Sequence, residues 1–299
     1  MIIAENIVKR FADTSALNGI SFNVDKGELF GFIGPDGAGK TTLFRIITTL
    51  LLPDEGKIVV MGHDTFSGYR ELRKQIGYMP GRFSLYQDLT VEENLKFYAT
   101  VFGTSIKENY HLIQDIYSHI EPFRKRQAGR LSGGMKQKLA LCCALIHAPS
   151  LIVLDEPTTG VDAVSRKEFW EMLAKLKHEG ITILVSTPYM DEAILCDRVA
   201  LVQKGDILLS DNPKKLVSDY SRRLFAVTAS EKFNLIQELR SIENIDSVNV
   251  FGDSVHVTFR DNIIDAGLTE YLKENGFNDA RVTETIPGIE DVFLQLITD

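Results

Sequence analysis

Several features are scarce in this 299-residue chain, and each scarcity excludes a class of protein. The three cysteines, Cys142, Cys143 and Cys196, lack the spacing of metal ligands, so we expect small buried side chains in a reducing compartment. No run approaches the ~18 apolar residues of a membrane-spanning helix, and the opening stretch MIIAENIVKRFADT lacks the apolar core of a signal peptide. If the protein works at a membrane, another component must hold it there.

Positive charge is scarce as well. The chain has 33 Lys and Arg against 41 Asp and Glu, a formal net charge of −8. General nucleic-acid binders present net positive faces to phosphates, so we expect no nucleic-acid partner. Charged residues make up 25% of the chain and hydrophobic residues 44%, the ordinary balance of a globular protein, and the length suits one large domain or two.

The first motif with clear chemistry is GPDGAGKTT, which begins at Gly34 directly after the apolar run LFGFI. Gly34, Gly37 and Gly39 allow the backbone to curl so that successive N–H groups face a phosphate, and the following helix adds its positive end. Lys40 would reach the terminal phosphates, and the Thr41 hydroxyl would bind Mg²⁺. The alternative is a Gly-rich turn that only closes a strand–helix corner. The lysine and threonine at the required offset favour a nucleoside triphosphate site.

A second motif, LIVLDE, is an apolar strand that ends in two carboxylates. Asp155 suits the binding of Mg²⁺ through its water shell, and Glu156 suits the orientation or polarisation of an attacking water. The alternative is a strand end that is polar only because it reaches solvent. The phosphate loop elsewhere in the chain favours the catalytic interpretation.

A third motif, SGG at residues 132–134, precedes a long helical run that ends near His147. A hydroxyl, close-approach backbone N–H groups and a helix N-terminus together make a second anion site. An N-cap serine with a glycine turn is the simpler alternative. One triphosphate does not need two phosphate sites, so the second would serve a nucleotide held by another subunit.

Hydrophobic patterns place these motifs in an α/β fold. Short strands are predicted up to about Gly62, and a polar, helix-rich middle runs from about Tyr69 to His147. Strands that alternate with helices indicate a parallel sheet covered on both faces, with the nucleotide loop at the carboxyl end of a strand. The predicted elements are strands 2–8, 20–24, 29–33, 57–61, 151–154 and 181–185 and helices 40–51 and 165–178.

The composition changes near Asn212 and Pro213 and again in a polar, basic link at Asp219–Arg223. Beyond it the order βαββαβ, followed by a last helix, is that of a split βαβ, ferredoxin-like domain of α+β class. This tail carries no cluster of catalytic residue types, so we expect a regulatory or dimerising module. The predicted elements are strands 224–229, 247–251, 255–259 and 280–285, helices 231–241 and 263–275, and a helix after Pro287.

Over about residues 1–216 the chain resembles the ATP-binding subunit of ABC transporters, which are P-loop NTPases with a helical subdomain. Several independent motifs carry the resemblance, and they stand in the family's order. They are Walker A, GPDGAGKTT (34–42); the signature, LSGGMKQ (131–137); Walker B, LIVLDEP (151–157); and a D-loop-like TTGVDA (158–163).

The resemblance implies an ABC ATP-binding domain over residues 1–218, with a helical subdomain at about 82–147, and a C-terminal domain over residues 222–299. Glu156 would be catalytic, and Mg²⁺ would be held by Thr41 and Asp155. The residues that would bind ATP, the first of them an aromatic stacked on adenine, are Phe11, Gly34, Pro35, Asp36, Gly37, Ala38, Gly39, Lys40, Thr41 and Thr42. Those that would serve a partner's ATP are Ser132, Gly133, Gly134 and Gln137 in the signature and Asp162 in the D-loop.

In that family two subunits close head to tail around two ATPs, each held between the Walker A of one chain and the signature of the other. The resemblance therefore implies an ATPase that pairs with a second ABC subunit, identical or not, and with an integral membrane permease. Its place would be cytoplasmic, on the inner face of the cell membrane. The C-terminal extension, ending IEDVFLQL, is similar to that of ATPases paired with exporter-type permeases, including drug and antibiotic exporters. Residues Arg82–Tyr86 would dock a cytoplasmic helix of the permease.

Three positions depart from the family pattern. Gly81 stands where the Q-loop glutamine, a Mg²⁺ ligand, is expected, and Pro188 stands where the switch histidine, a contact of the γ-phosphate, is expected. Asp36 occupies a position that is usually Asn and adds a negative charge near phosphates. Because glycine has no side-chain oxygen and proline no donor, the site on this chain's own Walker A would be slow. Lineage drift, with Thr187, Tyr189 or water substituting, is the alternative.

Two other functions stay open. A binding module that holds ATP with little turnover beside an active partner is favoured by Gly81 and Pro188 and opposed by Glu156. A soluble ABC ATPase of translation or DNA repair is disfavoured by the acidic balance and by the single nucleotide domain.

Overall fold

The computed structural model describes residues 1–260 and 267–298 and divides into two compact units, Met1–Pro213 and Lys214–Asp299. The sequence interpretation places the domain boundary between residues 218 and 222, whereas the short helix Pro213–Ser218 lies at the junction of the two units. Within the described residues, no helix combines the length and the hydropathy needed to cross a bilayer.

The first unit alternates strands and helices. Its strands β1–β10 are Ile2–Phe11, Thr14–Val24, Leu29–Ile33, Glu55–Val60, His63–Asp64, Ile76–Met79, Leu151–Asp155, Thr182–Thr187, Arg198–Gln203 and Asp206–Asp211. Its helices α1–α6 are Lys40–Ile47, Tyr69–Gln75, Val91–Val101, Tyr110–Tyr117, Gly133–Leu145 and Ala163–His178. Helix α7, Pro213–Ser218, begins at the last residue of this unit and otherwise belongs to the second. Short 3₁₀ helices lie at Glu121–Phe123, Ala128–Arg130 and Met190–Leu195.

The larger sheet of this unit has the strand order β10-β9-β3-β8-β7-β6. Strands β9, β3, β8, β7 and β6 run parallel, which confirms the predicted parallel sheet, and the edge strand β10 is antiparallel to β9. Every residue of β3, β7 and β8 is buried, which is why residues 29–33, 151–154 and 183–185 read as apolar runs, while the buried Asp155, Ser186 and Thr187 stand at the carboxyl ends of β7 and β8. The register pairs Ile33 with Thr187 and Asp155 with Ser186, so the residues after these strands meet at one edge of the sheet.

A second, antiparallel sheet of order β2-β1-β4-β5 shares its core with the first. In that core Phe32 meets Phe22 and Phe44 edge-on, with ring centroids 5.0 and 5.6 Å apart. Helix α1 contributes Phe44, Ile46 and Ile47 to the same core. This packing fixes the start of α1 at the sheet edge.

Several elements of the first unit differ from the sequence prediction. The predicted helix 40–51 ends at Ile47, because Thr49 takes a left-handed φ of 63° that closes the helix. Strand β2 begins at Thr14 rather than at residue 20, because its pairing with β1 continues to that residue. Strand β6 lies in the segment predicted to be helical, and the sequence interpretation contains neither β9 nor β10. A four-residue strand such as β6 is too short to show a period, and it is defined by its pairing with β7.

Helices α3, α4 and α5 occupy the predicted helical subdomain, where α5 contacts both of the others. Thr90 and Glu93 form a capping box at the start of α3, in which each side chain accepts the backbone N–H of the other residue. Cys142 and Cys143 on α5 are buried and free, as the sequence predicts, and burial raises the pKa of both thiols.

The second unit contains strands β11–β14 at Leu224–Thr228, Ile245–Phe251, Ser254–Phe259 and Arg281–Thr285 and helices α8–α10 at Lys232–Ser241, Leu268–Glu274 and Ile289–Thr298. Its sheet has the order β12-β13-β11-β14, with antiparallel neighbours, which is the order that a split βαβ pattern produces. This arrangement supports the ferredoxin-like interpretation, which stays a prediction. Residues 263–266 of the predicted helix 263–275 lie outside the described residues, and α9 begins at Leu268.

Candidate functional site

The loop between β3 and α1 carries the GPDGAGKTT motif. A Cβ on Gly34 would lie 2.0 Å from the carbonyl oxygen of Val202 on β9. Only glycine therefore fits at this position, where the chain leaves the sheet. Gly39 has a φ of 101°, and a Cβ there would lie 2.5 Å from the carbonyl oxygen of Ala16. The other loop residues are the exposed Pro35, Asp36 and Gly37, the buried Ala38 and the half-buried Thr41 and Thr42.

Lys40, the first residue of α1, is buried, with 3% of its side chain exposed. Its ammonium donates to the carbonyl oxygens of Gly34 at 2.7 Å and Pro35 at 2.9 Å and lies 3.3 Å from Oε1 of Glu156. A buried ammonium is stable only with such partners. Phosphate oxygens entering the loop can take the place of these oxygens, so the arrangement provides a cation at the centre of an anion-binding loop.

Asp155 and Glu156 lie at the end of β7 beside that loop. Asp155 is 2% exposed, and its Oδ1 accepts the hydroxyl of Ser186 at 2.7 Å. Glu156 has a left-handed φ of 49°, and its N–H donates to the carbonyl and hydroxyl oxygens of Ser186 at 3.1 and 3.0 Å. A non-glycine residue in this conformation is strained and is held by its surroundings. The Ser186 hydrogen bonds supply that support, and they place the Glu156 carboxylate beside Lys40.

Gly81 and Pro188, which stand at the expected positions of the glutamine and the histidine, lie at the same edge. A Cβ on Gly81 would lie 3.2 Å from the carbonyl oxygen and 3.8 Å from Oδ2 of Asp155. Pro188 follows Thr187, whose carbonyl oxygen accepts the N–H of Gly34 at 3.3 Å. Side chains at both positions therefore begin next to the carboxylates and the phosphate loop.

The start of α5 forms a second group of predicted residues together with the start of α6. Ser132 caps α5 by accepting the N–H of Met135 at 3.4 Å. A Cβ on Gly134 would lie 2.6 Å from the hydroxyl of Ser165 in α6. Asp162 caps α6 by accepting the N–H of Ser165 at 3.0 Å, and this bond lowers the pKa of the Asp162 carboxyl. The signature residues comprise the exposed Ser132 and Gly133, the buried Gly134 and the half-buried Gln137.

The fold does not bring every predicted site residue together. Across residues 1–260 and 267–298, no hydrogen bond or ion pair joins the signature segment 131–137 to the phosphate loop 34–42. Phe11 lies at the end of β1 with 46% of its surface exposed, and the Lys9 ammonium is 5.5 Å from the centroid of its ring. An aromatic ring is thus available there to a planar ligand.

Sequence reasoning missed the residues behind the site. Ser186 forms hydrogen bonds with both Asp155 and Glu156. Its role could have been predicted from the sequence, because polar residues at the carboxyl ends of parallel strands meet at one edge of the sheet. Glu192 is 2% exposed and accepts the hydroxyls of Thr158 and Thr187. No local pattern marks Glu192.

An apolar cavity of about 400 Å³ lies between β6 and helices α3 and α5. Of the predicted docking segment 82–86, Ser84 and Leu85 line this cavity. Burial raises the pKa of Tyr78 in the cavity wall to about 12 and lowers the pKa of His147, whose ring stacks on Phe102 at 3.8 Å.

Comparisons with known proteins point to one family. A family model described as ABC transporter matches residues 17–159. A probable multidrug ABC transporter ATP-binding protein of Escherichia coli (strain K12) is 38% identical over 304 residues, covering 99% of this chain and 52% of that protein. This chain therefore spans about half the length of that relative and of its Shigella flexneri counterpart. The Nod factor export ATP-binding protein I of Rhizobium sp. (strain N33) is 35% identical over 294 residues, covering 97% of this chain and 94% of that protein.

Solved structures agree with the sequence relatives. A dimeric ATP-binding cassette in a post-hydrolysis state, bound to ADP and phosphate, matches with a TM-score of 0.64 at 26% identity over 71% of this chain and 98% of its own. An ATP-binding subunit of an ABC transporter matches with a TM-score of 0.67 at 27% identity, covering 74% of this chain and 93% of that one. The phosphate loop, the order of motifs and the relatives lead to one conclusion: this chain belongs to the family of ABC transporter ATP-binding proteins.

Proposed function

We propose that this chain is the ATP-hydrolysing motor subunit of an ABC exporter. The observation that carries the proposal is the sheet edge where Lys40, Asp155 and Glu156 meet, with the ammonium of Lys40 3.3 Å from the Glu156 carboxylate inside a phosphate-binding loop. The names of relatives, which include multidrug and Nod factor export proteins, support an export role.

ATP would bind with its phosphates in the loop before α1. Backbone N–H groups of residues 37–42 and the positive end of α1 would hold the β- and γ-phosphates. Lys40 would exchange the carbonyl oxygens of Gly34 and Pro35 for phosphate oxygens, because its ammonium already lies among oxygen ligands. Phe11 would stack on the adenine with its exposed ring.

The donor groups at the same edge fit Mg²⁺, which prefers oxygen ligands and is bound by one or two protein groups besides phosphates and water. The Thr41 hydroxyl and the Asp155 carboxylate would hold it, and the Ser186 hydroxyl already orients Asp155 at 2.7 Å. When bound, Mg²⁺ neutralises charge on the phosphates.

Glu156 would orient the water that attacks the γ-phosphate in line, and Lys40 would stabilise the charge that develops on the phosphate oxygens. The two side chains contact each other directly at 3.3 Å. Phosphate that enters the loop would replace Glu156 as the partner of Lys40, and the released carboxylate could then accept a hydrogen bond from water.

The signature residues would serve the ATP of a second chain. Ser132 and Gly133 are exposed at the N-terminus of α5, and Asp162 lies near them through Ser165. Two such chains, identical or not, would close head to tail around two ATPs. The dimeric state of one matched cassette supports this pairing.

A separate integral membrane permease would hold the chain on the inner, cytoplasmic face of the cell membrane. Its cytoplasmic helix would dock near residues 82–86, and the apolar cavity lined by Ser84 and Leu85 offers a surface for it. The C-terminal unit would act in regulation or dimerisation. We propose no nucleic-acid partner, in keeping with the net charge of −8.

The site on this chain's own Walker A would be slow, and in a pair of different chains slower than the partner's, because Gly81 and Pro188 supply neither an oxygen for Mg²⁺ nor a donor for the γ-phosphate. These two residues also support a second candidate function, a catalytically weak ATP-binding half of an asymmetric pair. Glu156 supports the first candidate, since its carboxylate lies 3.3 Å from the Lys40 ammonium at the end of β7.

A steady-state ATPase assay on the purified chain, together with any natural partner chain and with Glu156→Gln as the control variant, tests the choice. The motor function predicts hydrolysis well above that of Glu156→Gln, with equal ATP affinity in the two proteins. Equal rates with tight ATP binding would instead establish the weak regulatory half. A wild-type chain that does not bind ATP would contradict both functions.

A further inference from the structure

A buried acidic side chain outside the motifs lies behind the proposed ATP site. Glu192, in the 3₁₀ helix Met190–Leu195, is 2% exposed. Its Oε1 accepts the hydroxyl of Thr158 at 2.8 Å, its Oε2 accepts the hydroxyl of Thr187 at 2.5 Å, and Nε of Arg166 lies 3.8 Å from Oε1. Burial of an acidic group is costly unless donors surround it, so these partners hold Glu192 in a defined position.

The two hydroxyl partners belong to different functional segments. Thr158 follows the Walker B motif LIVLDEP directly and begins the D-loop segment TTGVDA. Thr187 ends β8 immediately before Pro188, and its carbonyl oxygen accepts the N–H of Gly34 at 3.3 Å. Glu192 therefore links the D-loop to the switch segment, and through Thr187 to the start of the phosphate loop, although it does not itself belong to that loop.

Arg166 extends the same cluster to α6. Its guanidinium lies over the ring of Tyr189 at 4.9 Å and 3.5 Å from the carboxylate of Asp191, and its backbone N–H donates to the carbonyl oxygen of Asp162. The residue after Pro188 and the D-loop aspartate are thus both in contact with one arginine. The energies of side chains in such a network need not be additive, so a change at one member can alter the contribution of another.

We propose that Glu192 is a positioning residue that couples the D-loop of this chain to its switch segment. This inference rests on the proposed function, in which the D-loop serves the partner's ATP and the switch segment serves this chain's own. A shift of either Thr158 or Thr187 changes the hydrogen bonds that Glu192 can make to the other, so the state of one site affects the other.

The variant Glu192→Gln tests this role, because it preserves size but leaves one acceptor oxygen for two hydroxyl donors. We expect kcat for ATP hydrolysis to fall about tenfold, as the reacting groups lose their alignment, while KM for ATP stays within about twofold. The matched control is Glu28→Gln. Glu28 is also buried, at 8% exposure, but accepts the N–H of Asp25 at 2.7 Å at the opposite end of β3. An unchanged kcat in Glu192→Gln, or an equal fall in both variants, would overturn the proposal.

The coupling itself is measured with Thr158→Val and Thr187→Val, each of which removes one hydroxyl at nearly constant shape. If Glu192 joins the two segments, the losses in kcat are not additive, and the double variant is hardly slower than the slower single variant. Additive losses would overturn the proposal, because the two hydroxyls would then act independently.

A failure of the proposed function gives a different result. A wild-type chain that binds ATP without hydrolysing it contradicts the proposed hydrolysis, and the coupling is then read from ATP-dependent dimer formation in analytical ultracentrifugation. Fewer dimers for Glu192→Gln than for Glu28→Gln support the coupling, and equal numbers overturn it.

Discussion

Replacing Gly81 by Gln and Pro188 by His in the same chain should raise its ATP turnover. A Cβ at position 81 would lie 3.8 Å from Oδ2 of Asp155, so a glutamine amide can reach a cation that Asp155 holds. The same Cβ would lie 3.2 Å from the carbonyl oxygen of Asp155, so the backbone must yield by a few tenths of an ångström. An imidazole at position 188 begins one residue after Thr187, which bonds to the phosphate loop at Gly34.

The expected gain in turnover follows from the rate enhancement that one aligned hydrogen-bond donor provides. A preorganised donor is worth about 10²–10³ in rate when it is fully engaged. We expect about tenfold for Pro188→His alone, because Gly81 still leaves the Mg²⁺ shell incomplete; tenfold corresponds to about 1.4 kcal/mol of activation free energy. Gly81→Gln alone is limited by the tight contact with Asp155. The double variant should exceed either single variant, because the two side chains act on one site.

The assay is steady-state ATP hydrolysis with Mg²⁺ and with any natural partner chain, because a site completed by the partner's signature can be silent in the lone protein. Two control variants separate the new contacts from changes of the backbone. Gly81→Ala adds the Cβ and its tight contact without the amide, and Pro188→Ala removes the ring without adding an imidazole, so neither should hydrolyse ATP faster than wild type. A double variant no faster than wild type would refute the unequal-site reasoning and make lineage drift the better account.

Three further outcomes are expected. Lys40→Ala should abolish tight binding of a fluorescent ATP analogue, because the charge that neutralises the terminal phosphates is lost; the exposed Lys167→Ala should bind normally. Residues 214–299 expressed alone should give a dispersed amide NMR spectrum, since strands and helices of this unit share a core of their own, although a domain of this size is marginal. Asp291→Asn should lower the free energy of unfolding by about 1–3 kcal/mol in urea, because the 4% exposed Asp291 carboxylate lies 2.8 Å from Nδ1 of His256.

Each of these outcomes has a contrary result. Unchanged affinity in Lys40→Ala would contradict the assignment of the phosphate loop. A collapsed, undispersed spectrum would show that the C-terminal unit depends on the rest of the chain or on a dimer partner. Equal stability of Asp291→Asn and of Asp253→Asn, in an exposed hairpin turn, would show that the contact with His256 contributes nothing.

Much of the sheet could be predicted because its central strands are buried on both faces. The central positions of β3, β7 and β8 need apolar residues, and such runs are visible in a sequence, whereas the polar residues of β7 and β8 stand at the ends of the strands. Strand β6 could not be predicted, because four residues in a helix-rich segment carry no usable period. The end of α1 was also beyond prediction, since it depends on the left-handed conformation of Thr49, a residue that rarely adopts it.

The sequence by itself determined the chemistry of the nucleotide loop. The spacing of Gly34, Gly39 and Lys40 restricts the backbone conformation and places a cation at the first turn of α1, and these are short-range constraints on φ and on side-chain volume. The two carboxylates at the end of LIVLDE could likewise be predicted from the sequence as candidate Mg²⁺-binding and catalytic groups.

Only the tertiary structure decided which of these groups touch. It showed that the Ser186 hydrogen bonds hold Glu156 so that its carboxylate contacts Lys40. It also showed that Gly81 lies next to Asp155. The buried Glu192 accepts the hydroxyls of both Thr158 and Thr187. The physical reason is that most of these partners lie at or after the ends of strands remote in sequence, and the parallel register sets the carboxyl ends of those strands side by side. A buried acidic residue such as Glu192 has no local pattern, because its position is maintained by donors that the fold brings to it.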